Sequence, residues 1–379
     1  AKTEGRNWVW KGMSLRRPDW VRGLLRLSDG GSDAVVVREF DVTTRRFVED
    51  GFRLPEAKGG MGWIDADTVF VDTDFGPGSL TDSGYPRLVK RWRRGTPLQE
   101  AELVFEGLQG SVSADAWREH DGDVAIDWVT HGTSFYTGER YLLEDGELVR
   151  LALPDTARIH TVFRGQALVE FKKEQRLGDA TWAPGTVVSF PLETLKKRME
   201  GGTVLFEPTD STSVSYVTRT RSYVLAVVLE DVRDHLYRYE IRDGRWVREE
   251  LVFEGHGTKW LSHTDVDRDD FVVSYSSFLR PTTLFHVDAA TLEKRAVARA
   301  PARFDPAPYA SSQHFATSKD GTQIPYGLVG PKDLVEDGSH PTLLTGYGGF
   351  RIPQRPRYLR ALGRNWLDRG GGYAVACIR

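Results

Sequence analysis

Along most of the chain, short apolar runs alternate with polar, glycine-containing breaks, and helical spacing is scarce. Runs such as Val35–Phe40, His235–Tyr239 and Thr283–Val287 read as strands, each followed by a polar turn: Asp41–Thr44, Arg242–Gly244 and Asp288–Thr291. Aligning the chain on this strand places Phe40, Trp92, Leu142, Phe190, Tyr239 and Phe285 in register, 46 to 52 residues apart. A second marker agrees, because Leu103–Gly107, Val204–Glu207 and Leu251–Gly255 close three of the units. A four-stranded unit with this period predicts a β-propeller blade, since one such sheet cannot bury both faces until it stacks on its neighbours. Six units are visible, and the expected architecture is a mostly β, seven-bladed propeller with its first blade upstream of Ala1. An irregular β-sandwich is the competing architecture, and the even spacing argues against it.

The pattern changes near residue 302, where Pro301–Pro308 is proline-rich and reads as a linker. A hairpin follows, with strands over Ser312–Thr317 and Gln323–Val329 and a turn at Ser318–Thr322. Then come a polar loop (Pro331–Gly338), an apolar strand at Thr342–Thr345, helical spacing around Tyr358, Leu362 and Trp366, and an apolar strand at Tyr373–Ile378. Apolar strands separated by a helix predict buried parallel strands, the opening of an α/β sheet. The expected domains are 1–302, the propeller, and 303–379, an incomplete α/β-hydrolase domain.

Composition narrows the partners. With 51 basic and 54 acidic residues the net charge is −3, which argues against a nucleic-acid or polybasic membrane role. The basic runs Lys90–Arg94 and Lys196–Arg198 lie close to acids and read as solvated strand edges or turns. The single cysteine, Cys377, excludes an internal disulfide and falls in an apolar strand, as a buried structural thiol would. No apolar run reaches the ~18–20 residues that span a bilayer, and the expected location is cytoplasmic, with the periplasm as the alternative. His263–Asp270 resembles the start of a calcium loop, but Asp270 stands where glycine is needed and Ser276 where glutamate is needed, so it reads as a charged turn. Neither a metal nor any other cofactor is expected. Asp72, Asp74 and Asp82 with Ser79 and Ser83 read as a long inter-strand loop.

Candidate chemistry sits in Gly346-Tyr347-Gly348-Gly349, directly after a strand. Glycines there let the backbone turn sharply and approach a substrate, and the Tyr347 hydroxyl is a donor available to a developing oxyanion. No Gly-x-Ser-x-Gly nucleophile elbow occurs in the 379 residues.

Ser318–Pro325, Gly338–Phe350 and Gly371–Arg379 together resemble the prolyl oligopeptidase family of serine peptidases, and Asp72–Trp92 looks like bacterial members of it. The resemblance implies a propeller that restricts access to short peptides and an α/β-hydrolase domain whose serine, histidine and aspartate lie beyond Arg379. It implies that Tyr347 helps stabilise the tetrahedral oxyanion and that Phe350, beside Gly348 and Gly349, lines the substrate pocket. Two departures are Cys377, where an asparagine is usual, and Thr345, where an aromatic is common. The function expected is that of a serine oligopeptidase fragment, inactive alone, whose intact form cleaves short peptides, with proline the expected preference. An acylaminoacyl or basic-residue oligopeptidase and a stand-alone propeller interaction module are the alternatives.

Overall fold

The computed structural model describes residues 4–335, 337–349 and 352–377. The chain divides into two compact units, the first built mainly from residues 1–158 with 190–202, the second from 159–189 and 203–379.

The first unit holds three meandering antiparallel sheets. One contains β1 (Trp8–Leu15), β2 (Arg22–Asp29), β3 (Val35–Asp41), β4 (Arg46–Phe47) and β5 (Arg53–Ala57). The next contains β6 (Gly60–Trp63), β7 (Thr68–Asp72), β8 (Leu88–Arg93) and β9 (Glu102–Glu106). The third contains β10 (Ser113–Asp121), β11 (Val124–Gly132), β12 (Gly138–Glu144) and β13 (Glu147–Arg150).

In chain order there follow β14 (Ala157–Phe163), β15 (Gln166–Phe171), the small hairpin β16 (Gln175–Leu177) and β17 (Ala180–Trp182), β18 (Val187–Pro191), the short helix α1 (Leu192–Leu195) and β19 (Thr203–Phe206). β14, β15, β18 and β19 form a fourth sheet. The fifth comprises β20 (Thr212–Arg219), β21 (Val224–Glu230), β22 (Arg233–Arg242) and β23 (Arg245–Glu250). The sixth comprises β24 (Thr258–Thr264), β25 (Asp270–Ser276), β26 (Thr283–Asp288) and β27 (Lys294–Arg299).

Six blade-sized sheets are thus present among the described residues, at the predicted period. All six aligned residues fall on the third strand of their sheets: Phe40 on β3, Trp92 on β8, Leu142 on β12, Phe190 on β18, Tyr239 on β22 and Phe285 on β26. The turns after these strands close as their residues dictate. Asp41 Oδ1 accepts the Thr43 and Thr44 N–H groups, and Asp288 Oδ1 accepts those of Ala290 and Thr291. The second marker is looser: two copies lie on fourth strands, while Leu251–Gly255 follows β23.

Second strands show why blades stack. On β7, Val69 and Val71 enter one apolar core with Leu24 and Trp63, while Phe70 enters another with Ala114 and Val129. On β21, Val224 and Ala226 pack with Phe163 and Leu168, whereas Leu225 and Val227 pack with Phe271 and Val273. Successive residues point to opposite faces, and both faces meet a neighbouring sheet. No helix among the described residues is long and apolar enough to cross a membrane.

Beyond β27 the topology changes. β28 (Tyr309–Thr317) and β29 (Gln323–Pro331) form the expected hairpin, closed at Ser318–Thr322 with Gly321 in the left-handed region. β30 (Thr342–Gly346) then leads through α2 (Arg360–Asn365) to β31 (Gly372–Ala376). The strand order is β28-β29-β31-β30, with β31 antiparallel to β29 and parallel to β30. The helix is shorter than its spacing predicts: Tyr358 precedes it and Trp366 ends it, as befits a segment entered through Pro353 and Pro356.

Burial departs from expectation at β30. β31 is largely buried, but Leu343 is 41% exposed and Leu344 69%. β30 is an edge strand that pairs only with β31, and nothing among the described residues covers these side chains. Cys377 is half-buried, not enclosed.

Candidate active site

Tyr347 follows the carboxyl end of β30, beside the carboxyl end of its parallel partner β31, the edge at which α/β sheets place ligands. Its side chain is 43% exposed, and no hydrogen bond joins its hydroxyl to another described residue. The ring lies over Gly349: a Cβ added at that position would sit 2.6 Å from the Tyr347 hydroxyl oxygen. Only glycine therefore leaves the tyrosine where it is. Gly348 is half-buried in the same turn, and the Ile352 N–H donates to the Gly349 carbonyl at 3.1 Å. Phe350, the expected pocket aromatic, lies outside the described residues. Thr345, at the position of the second departure, points its hydroxyl at the Tyr373 hydroxyl, 3.0 Å away on β31.

The loop leaving Tyr347 is fixed on the fifth and sixth sheets. Arg355 Nη1 lies 3.1 Å from Asp234 Oδ1, and its Nη2 donates to Ser215 Oγ at 2.7 Å. Thr258 donates its hydroxyl to the Pro356 carbonyl at 2.8 Å, and the Leu359 N–H donates to the Phe278 carbonyl at 3.1 Å. Tyr358 stacks on Phe304, with ring centroids 5.3 Å apart, and its hydroxyl accepts the Arg303 N–H at 2.7 Å. Asp234 is buried, and its Oδ2 accepts the Lys259 N–H at 2.9 Å. The Lys259 ammonium donates to the Asp234 carbonyl. Burial raises the Asp234 carboxyl above its usual range, against the opposing pull of Arg355 and Lys259. Burial likewise lowers Lys259. These groups are held as a charged set at a desolvation cost.

The α/β side makes a second attachment. Gln313 on β28 accepts from Arg233 through its oxygen and donates to the Asp231 carbonyl. Asp231 and Val232 turn between β21 and β22 with φ of 46° and 67°. Gly327 on β29 is required for close approach, since a Cβ there would come 2.9 Å from the Phe278 ring.

The other sequence candidates have local roles. Asp269 accepts from the Thr220 hydroxyl, the Ser222 N–H and Arg221, and Asp270 pairs with Arg268 and His286. Among the described residues no group of three or more His, Cys, Asp or Glu side chains is placed to hold a metal ion. Asp74 accepts the Gly76 N–H and the Ser79 hydroxyl, Ser83 bonds to Thr81 and the Val112 carbonyl, and Asp82 accepts from Gln109, so that loop ties to itself and to the segment before β10. Burial, with the nearby charge of Asp115, pushes the Asp72 carboxyl well above the usual range. Sequence reasoning singled out Tyr347 but missed Arg355, Asp234 and Gln313. The only available signal was an arginine between two prolines, which does not name its partner.

The family model for the prolyl oligopeptidase N-terminal β-propeller domain matches residues 17–300. The chain belongs to the prolyl oligopeptidase family. An uncharacterized peptidase of Sinorhizobium fredii, y4nA, is 37% identical over the whole of this chain and 53% of its own length. A prolyl endopeptidase of Elizabethkingia meningoseptica is 32% identical over 41% of this chain and 22% of its own. Among solved structures, a post-proline cleaving enzyme from Rickettsia typhi superposes with a TM-score of 0.91 at 24% identity, over all of this chain and 57% of that one; at that identity the likeness concerns the fold. The chain spans about half the length of the first two curated relatives it matches. The family model ends next to the last blade strand, so the Tyr347 loop lies outside the matched propeller.

Proposed function

We propose that this chain supplies the propeller, residues 1–302, and the opening of the catalytic domain, residues 303–379, of a serine oligopeptidase that cleaves short peptides after proline. The observation that carries the reading is Tyr347: an exposed side chain at the carboxyl end of a parallel strand, lying over Gly349 where any Cβ would displace it, in a chain of this peptidase family. In the intact enzyme a serine activated by a histidine and an aspartate attacks the peptide carbonyl, with that triad in sequence beyond Arg379. Tyr347 donates to the oxyanion as the tetrahedral intermediate forms, and Gly348, Gly349 and Phe350 shape the adjoining pocket. The preference for proline is supported by the name of the Elizabethkingia protein. Against a stand-alone binding module stands the exposed apolar face of Leu343 and Leu344, which a free propeller has no use for.

The test is to express the reading frame continued past Arg379 and assay peptides carrying proline, lysine or an acylated residue before the scissile bond. The expected result is cleavage after proline, abolished by a serine-directed fluorophosphonate. Cleavage after lysine alone would replace the proline assignment with the basic-residue one. A frame without a nucleophile elbow would end the peptidase reading.

A further inference from the structure

We propose that Arg355, held by Asp234 and Ser215, is a positioning residue for the Tyr347 loop, so that the fifth blade sets the geometry of the oxyanion donor. The inference rests on the role of Tyr347 proposed above.

Between Tyr347 and Leu359 the described residues 352–359 contain no strand or helix. Such a segment has no hydrogen-bond ladder to fix its course, so its position comes from whatever grips it. Those grips are Arg355 on Asp234 and Ser215, Pro356 on Thr258, Leu359 on Phe278 in the loop after β25, and Tyr358 on Arg303 and Phe304. Arg355 is the charged grip in the segment's middle. Its guanidinium donates a hydrogen bond to the Ser215 hydroxyl through Nη2 and makes an ion-pair contact with Asp234 through Nη1, without a hydrogen bond to that oxygen. The receiving site is itself rigid: Asp234 is buried, and its other oxygen is taken by the Lys259 N–H.

Asp234 stands two residues past a strained turn. Val232, a β-branched residue, sits at φ 67° right after Asp231 at φ 46°. Gln313 clamps this turn from the α/β sheet by binding both the Asp231 carbonyl and Arg233. The turn and Asp234 thus receive two attachments from the α/β sheet and its loop, through Gln313 and Arg355. A buried ion pair of this kind contributes little net stability, and its attested use is to fix one arrangement. Here the arrangement fixed is the course of the loop whose other end carries Tyr347.

The experiment measures steady-state kinetics of the full-length enzyme on a proline-containing peptide, with folding followed by circular dichroism. Arg355→Met is expected to lower kcat by about 10–10²-fold, the cost of misplacing a catalytic group, with KM held within about twofold. Arg355→Lys, which keeps the charge but loses the fork, should recover part of the rate. Asp234→Asn/Arg355→Met removes both charges of the ion pair and leaves the Lys259 ammonium its bond to the residue 234 carbonyl and the charge of Glu250, and it should fold yet remain slow. Added to Tyr347→Phe, Arg355→Met should cost little more, because both act on one donor. Normal kcat in the folded Asp234→Asn/Arg355→Met protein, with Tyr347→Phe still impaired, would overturn the anchor and leave the oxyanion role standing. Normal kcat in Tyr347→Phe would remove the oxyanion role and the anchor with it. Fully multiplicative losses in Tyr347→Phe/Arg355→Met would show that Arg355 acts independently of the Tyr347 hydroxyl and would overturn the anchor.

Discussion

β21 and β30 are both short apolar strands, and the structure treats them oppositely. Val224 to Val228 are all buried, since alternate residues enter cores on the two faces of the fifth sheet. Leu343 and Leu344 stand largely in solvent, on an edge strand with one partner. The difference lies in what stacks on each strand, not in composition. β21 has a sheet on either side, while among the described residues β30 has a neighbour only at β31. An apolar run therefore reports a capacity for burial, and the tertiary neighbours decide whether it is used.

Substitution can break that comparison. The largest effect is expected at Phe70, which is fully buried on β7: Phe70→Ala should cost about 3–5 kcal/mol, read from urea unfolding of this chain. A cost near zero would mean that the core between the second and third sheets is not closed in solution. On the catalytic side, Tyr347→Phe in the full-length enzyme should reduce kcat by about 10²–10³-fold with little change in KM, as loss of an oxyanion donor does; an unchanged kcat would take Tyr347 out of the mechanism.

A smaller effect concerns acid. Glu170 is buried, and hydrogen bonds from His160 and Lys172 hold its carboxyl below the usual range in spite of the opposing cost of burial. The unfolded chain therefore binds more protons at this site than the folded one. The stability it contributes is present above the ordinary glutamate value of about 4.3 and is lost as pH falls through the lower folded value. Glu170→Gln should flatten the fall in Tm below that pH, and an unaltered pH profile would show that other carboxylates govern acid unfolding. The smallest effect is expected at β30: Leu344→Ser should change stability by no more than about 0.5 kcal/mol and should raise solubility. A loss comparable with Phe70→Ala would mean that this face is covered in solution.

What could be read in advance followed from local chemistry. The third-strand residues recur because every blade needs the same hairpin at the same place, and Asp41 and Asp288 end their strands by capping their own turns. The Ser318–Thr322 turn and Gly349 were legible for the same reason: backbone conformation or close approach favours those residue types. Arg355 and its partners were not, because Ser215 lies 140 positions away in the chain and an arginine between prolines carries no record of what it will face. Nor did the apolar pattern at Thr342–Thr345 distinguish a covered strand from a bare one.

The sequence by itself determined the blade period, the recurrence of the aligned aromatic or aliphatic strand, the change of architecture after residue 300 and the turn that presents Tyr347, all of which are set by interactions between residues near one another in the chain. Only the tertiary structure decided that Asp234 is buried and meets an arginine, that Gln313 clamps the Asp231–Val232 turn, and that Leu343 and Leu344 are left uncovered by the other described residues. Those features depend on which distant surfaces meet, and desolvation and ion pairing take their value from that meeting.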